Sequence, residues 1–129
     1  RKEETDYRAD LEDAVQALRE VDAKQRLAFV LTQAASIESE RGELEKAADR
    51  AREAVELGEI LEQPSETALA RAILLRVARE RGDFQAAHEQ VGALRKLRGY
   101  ARHVKDLVDR ELARYELEHE LQPGATGGS

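Results

Sequence analysis

The sequence predicts an all-α protein of stacked antiparallel helical hairpins, and three observations carry that expectation. Ala, Glu, Leu and Arg dominate the 129 residues, while aromatic residues make up only 4% of them. Straight-chain residues and Ala lose little freedom in a helix, whereas strands favour aromatic and β-branched residues. Apolar residues recur at steps of three and four, the spacing of one helical face. Gly42, Pro64, Gly82 and Gly99 interrupt that pattern four times, whereas a long coiled coil needs an unbroken heptad.

About six helices follow from these stripes. The first, 5–22, aligns Tyr7, Leu11, Ala14, Val15, Leu18 and Val21. Polar residues at Asp22–Lys24 separate it from a second, 25–41, carrying Leu27, Ala28, Leu31, Ala34 and Ala35 with Ile37 beside them. That helix stops at Gly42, a residue that enters the left-handed region without a Cβ penalty. A third, 44–62, carries Leu44, Ala47, Ala48, Ala51, Ala54, Val55 and Gly58, and Gln63-Pro64-Ser65 breaks it. Ser65 is the expected N-cap of a fourth, 66–81, with Leu69, Ala70, Ile73, Leu74, Val77 and Ala78 on its stripe. The fifth, 84–98, carries Phe84, Ala87, Val91, Leu94 and Leu97; the sixth, 100–121, carries Val104, Leu107, Val108, Leu112 and Tyr115.

Residues 1–122 therefore read as a single domain. Residues 123–129, Pro-Gly-Ala-Thr-Gly-Gly-Ser, read as a flexible tail, because small residues bury almost nothing. A net charge of −6 argues against a nucleic-acid binder, which normally carries a basic surplus. No apolar run is long enough to insert in a membrane. With no cysteine, disulfides and thiol catalysis are excluded, which fits cytosol and bacterial periplasm alike; the location is left open, with a cytoplasmic one favoured. The absence of methionine suggests a processed chain or, better, a piece of a larger protein, and the Arg excess over Lys suggests a GC-rich genome.

Gly42 and Gly82 lie 40 residues apart, and the same offset pairs Ala28 with Ala68, Arg41 with Arg81, Glu43 with Asp83, Leu44 with Phe84 and Ala47 with Ala87. Periods of 20 to 50 residues mark stacked helical arrays, in which each hairpin covers its neighbour's apolar face. Ala47 and Ala87 are small because two helices cross closely there.

These residues resemble the tetratricopeptide repeats. One copy of the pattern is Leu31, Ala34-Ala35, Gly42-Glu43-Leu44, Ala47, Ala51 and Ala54. A second is Leu74-Leu75, Gly82-Asp83-Phe84, Ala87, Val91 and Leu94. Val104 and Leu107-Val108 begin an unfinished third, and Leu11, Ala14, Leu18 and Val21 end a preceding one. Arg71 stands where the family has a large aromatic, Leu75 where it has a small residue, and the period exceeds the family's usual 34 residues. The resemblance implies a right-handed, TPR-like array of about three repeats. Long repeats of this kind resemble the sensor arms of bacterial regulators, and the expected bacterial setting rests on that resemblance.

Catalytic chemistry finds no motif. Glu116 and His119 are spaced as one metal-ligand pair, but carboxylate-bridged metal bundles need two such pairs. His88 and His103 have no partner at that spacing, and no phosphate loop or nucleophile motif occurs. The chain reads as a non-enzyme without a cofactor. In the family, one face of each repeat's first helix lines a concave groove. Carried over, that implies Phe29, Thr32, Ser36 and Ser39, then Leu69, Ala72, Arg76 and Arg79, then Arg102, Lys105 and Asp109. The arginines and Lys105 would form a basic cluster for an acidic protein or peptide segment, held by bidentate guanidinium bonds. A non-catalytic protein–protein interaction module, a scaffold or adaptor, is the expected function. The alternative is a regulatory or self-association arm of a signalling or transcription-regulatory protein, with Leu117 and Leu121 of the last helix touching a second copy in a homodimer.

Overall fold

Two short junctions, each built on a left-handed glycine, set the architecture. The computed structural model describes residues 2–120, with side chains described from 9 to 119. It contains five helices, α1 (Lys2–Glu40), α2 (Leu44–Ile60), α3 (Pro64–Arg81), α4 (Phe84–Lys96) and α5 (Arg102–Glu120), and no strand among the described residues. The expected tail at 123–129, and the end of the sixth expected helix at 121, lie outside the described residues.

At the first junction Gly42 has φ 79°, Glu43 N donates to Glu38 O at 2.9 Å and Gly42 N to Ser39 O at 3.2 Å. At the second, Gly82 has φ 71°, Asp83 N donates to Ala78 O at 2.9 Å and Gly82 N to Arg79 O at 3.0 Å. Both are Schellman closures, which satisfy the orphan carbonyls of the ending helix. Asp83 also caps α4, its side chain accepting from Ala86 N at 3.1 Å.

The α2–α3 junction closes the same way without a glycine. Gln63 N donates to Gly58 O and Glu62 N to Glu59 O, so Glu62 occupies the left-handed position at φ 52°. Pro64 then opens α3 as a first-turn residue, where its missing N–H is no loss. Ser65 is therefore not the N-cap of α3, a place that falls to Gln63; its hydroxyl instead accepts from Ala101 N at 2.8 Å. That bond fixes the extended linker between α4 and α5 against the start of α3.

The two helices expected over 5–22 and 25–41 are one, the 39-residue α1. Asp22-Ala23-Lys24 is polar, but none of those residues breaks a helix, and the step from Val21 through Gln25 to Ala28 stays in phase. Polarity marks an exposed turn there, not a stop. Five helices rather than six result.

α3 is the central element. Its Ala70, Ile73, Leu74 and Val77 join Leu31 and Ala35 of α1 and the Ala47, Ala48, Ala51 and Ala54 ladder of α2 in one core. Its Ala68, Ala72, Leu75 and Ala78 join Ala87, Val91 and Leu94 of α4 and Val104, Val108 and Tyr115 of α5 in a second. α1 and α5 both pack on α3, whereas α4 and α5 meet through few residues. Contacts advance together along α1 and α3, from Thr32–Glu66 to Ser39 beside Arg76, and along α3 and α5, from Ser65–Ala101 to Arg79–Glu111. These three helices therefore run parallel.

α2 and α3 approach most closely at Gly58, where an added Cβ would overlap Thr67 Oγ1 and sit 3.1 Å from Thr67 N. Gly58→Ala is expected to lower stability by about 1–3 kcal/mol through overpacking, although alanine is the better helix former by about 1 kcal/mol; denaturant titration checks the sign. Glu62→Gly removes a left-handed strain worth roughly 1–2 kcal/mol but frees the unfolded chain. It is expected to raise the thermal midpoint, by about 0.5 kcal/mol or more in stability, and calorimetry checks it.

Candidate binding groove

The three parallel helices enclose an open depression of about 270 Å³ on one face of the protein. α1 supplies Ser36, Ser39 and Glu40, α3 supplies Ala72, Ile73 and Arg76, and α5 supplies Leu107, Arg110, Glu111 and Arg114. Its volume falls just below the range of pockets that bury drug-sized ligands, and three arginines border it. Such a recess suits one or two side chains of a longer partner better than a whole small molecule.

Of the residues expected on this face, the structure brings together Ser36, Ser39, Ala72 and Arg76. Ser39 is buried, and its hydroxyl donates back to Ser36 O at 3.0 Å, so the α1 wall is short-chained and internally satisfied. The Arg76 side chain is 28% exposed and braced by Glu80 one turn on, at 3.1 Å.

The other expected residues lie elsewhere. Thr32 is fully buried, its hydroxyl set among the carbonyls of Ala28 and Phe29 and the carboxylate of Glu66. Phe29 is 55% exposed and outside the depression, and Leu69 packs against the α3–α4–α5 core. Arg102 is exposed at the start of α5. Lys105 is exposed and tied to Asp109 on its own helix at 2.6 Å, a bond that raises its ammonium pKa above the ordinary value.

Arg79 is the clearest correction. Its side chain is only 7% exposed, with one terminal nitrogen 2.7 Å from Glu111 and the other 2.6 Å from Glu118. Its Nε is buried without a hydrogen-bond partner. Every exposed donor it would offer a ligand is already committed to α5. The basic cluster is therefore Arg76, Arg110 and Arg114 rather than Arg76, Arg79, Arg102 and Lys105.

Arg110 makes no ion pair among the described residues, and Arg114, half-exposed, stands 3.5 Å from Glu111. Arg76 is paired with Glu80 and Arg114 faces Glu111, itself held by Arg79, so Arg110 is the groove arginine without an ion pair among the described residues. Arg110 and Arg114 carried a readable signal. They follow Leu107 at steps of three and four and flank the buried stripe Val104, Val108, Glu111 and Tyr115. α5 meets α3 in the register Ser65–Ala101 and Arg79–Glu111, which leaves Arg102 and Lys105 outside the groove.

The histidine-bearing end of the molecule is engaged internally. His88 Nδ1 lies 3.2 Å from Tyr115 Oη, His119 stacks on Tyr115, and Glu116 pairs with Arg95. Among the described residues no group of three or more His, Asp or Glu side chains converges as metal ligands, and no helix is long and apolar enough to cross a membrane. Leu117 is exposed on α5, while Leu121 lies outside the described residues. Comparison with family models, with curated proteins and with solved structures finds no match for this chain.

Arg79→Ala leaves the buried Glu111 with only the long 3.5 Å contact to Arg114 and is expected to cost about 3 kcal/mol. Arg102→Ala and Lys105→Ala are expected to leave the denaturation midpoint where it is. Urea titration of the three variants distinguishes the buried cation from the exposed ones.

Proposed function

We propose that this chain is a non-catalytic interaction module whose groove receives an acidic segment of a partner protein. The observation that carries the reading is the convergence of Arg76, Arg110 and Arg114 around a recess with small walls, on a protein whose net charge is −6. Guanidinium groups present paired donors to carboxylates.

A TPR-like, right-handed arrangement is the architecture we propose for this module. It is supported by the shared hydrogen-bond pattern at Gly42 and Gly82, by matching burial at Ala28 and Ala68 and at Ala47 and Ala87, and by the placement of the groove on the parallel α1, α3 and α5. In that architecture an extended peptide lies across the first helices of successive hairpins. Acidic side chains reach the arginines, and an apolar side chain rests on Ile73 and Leu107.

Calorimetric titration with Asp/Glu-rich peptides carrying one central leucine tests this. Binding is expected to weaken at least tenfold in Arg76→Glu and in Arg110→Glu, and to weaken as salt is raised from about 0.05 to 0.5 M, as screened charge contacts do. Affinity indifferent to both reversals contradicts the reading.

A further inference from the structure

Residues 9–24 of α1 carry an apolar stripe that no described part of the fold covers. Leu11, Ala14, Leu18 and Val21 follow one another at alternating steps of three and four, and Leu11, Leu18 and Val21 are 51%, 69% and 44% exposed. The same alternation continues to Ala28, Thr32 and Ala35, which are fully buried against the rest of the domain. The face that builds the core thus runs on, in heptad phase, along a stretch of helix that extends past its packing partners. A helix left alone in water is marginal at this length.

We infer that this stretch pairs with the same stretch of a second copy of the chain, as an antiparallel two-stranded coiled coil. Side-chain size and charge both select that occupant and that direction. Antiparallel alignment about the middle of the stretch sets Leu18 opposite the second copy's Ala14, and Leu11 opposite its Val21. Each layer then joins a larger residue to a smaller one, and the two-fold axis repeats every contact. Flanking positions of one kind meet their own kind in such a pair and decide its orientation. Asp10 falls opposite the second copy's Lys24, and Lys24 opposite its Asp10, two opposite-charge contacts per dimer. Val15 and Ala17 meet themselves at the axis. A parallel pair would set Asp10 beside Val15 and Ala17 beside Asp22, with no such complement. The pairing uses none of the groove residues, so it stands or falls separately from peptide binding.

Light scattering and sedimentation on the full chain at tens of micromolar test the inference, with the cysteine-free sequence as background for cross-linking. A dimer is expected, and Leu18→Glu, at an exposed position, is expected to return it to monomer with α2–α5 folded. Asp10→Lys and Lys24→Glu are each expected to weaken self-association tenfold or more. An equimolar mixture of the two is expected to form heterodimers, because each mismatched charge then meets its complement. Under mild oxidation Ala17→Cys is expected to give a disulfide-linked dimer and Lys24→Cys to give none. A monomeric wild type, a dimer indifferent to Leu18→Glu, or equal cross-linking at both cysteine positions overturns the inference. The last outcome would indicate a parallel pair, and the first a stripe reserved for a different protein.

Discussion

Arg79 sets its guanidinium between α3 and α5, closed off from water and shared by Glu111 and Glu118, and the position of the last helix follows from that contact. α5 rests on α3 and scarcely touches α4, so its apolar contribution is a single stripe, Val104, Val108 and Tyr115. Hydrophobic burial of that kind is non-directional. It holds α5 down without fixing its rotation about its own axis. An ion pair out of water is different: misalignment leaves a buried charge without a partner, at a cost of several kcal/mol. The orientation of α5, and hence the exposure of Arg110 and Arg114 in the groove, is selected by that penalty.

The same reasoning explains why α3 can be almost all core. Its neighbours α1, α2, α4 and α5 take up its faces, and short residues such as Ala68, Ala70 and Ala72 let them come close. Polar groups are kept at its ends or bonded across helices, as where Arg71 spans from Glu59 of α2 to Gln90 of α4. On the other side Arg50 of α2 lies 2.6 Å from the nearly buried Glu38 of α1. Both flanks of the bundle therefore repeat the device used at Arg79: one arginine reaching a carboxylate on the next helix. Three Schellman closures of near-identical bonding set the helix reversals that bring these pairs within reach.

Much of this was legible in the residues. Glycine at 42 and 82 followed by an acidic residue announced the reversals, and the alanines at 47 and 87 pointed to close crossings; both are fully buried. Ser36, Ser39 and Arg76 were placed on one face by the family resemblance, and they line one depression. Polarity predicts a stop between the first two stripes, but Asp22, Ala23 and Lys24 are all compatible with helix and α1 runs through them. An isolated arginine in a helical sequence is usually solvated, which predicts an exposed Arg79 where the fold buries it. Its partners sat on another helix, and the clue was Glu111, a carboxylate placed on the stripe of Val104, Val108 and Tyr115, where only a buried cation could satisfy it. The facing of α5 was not legible, since it rests on contacts with α3, Arg79–Glu111 along its length and Ser65–Ala101 at its start, that no periodicity reveals.

The most direct test of this account is a double-mutant cycle between Arg79 and Glu111, with Arg79→Ala, Glu111→Ala and the double variant compared by denaturant unfolding. If the pair is the buried contact that orients α5, the two losses will overlap and the coupling energy will exceed about 2 kcal/mol. Losses that add to within about 0.5 kcal/mol would show that the two groups act independently, and would remove the basis for the position of α5 and for the groove it completes.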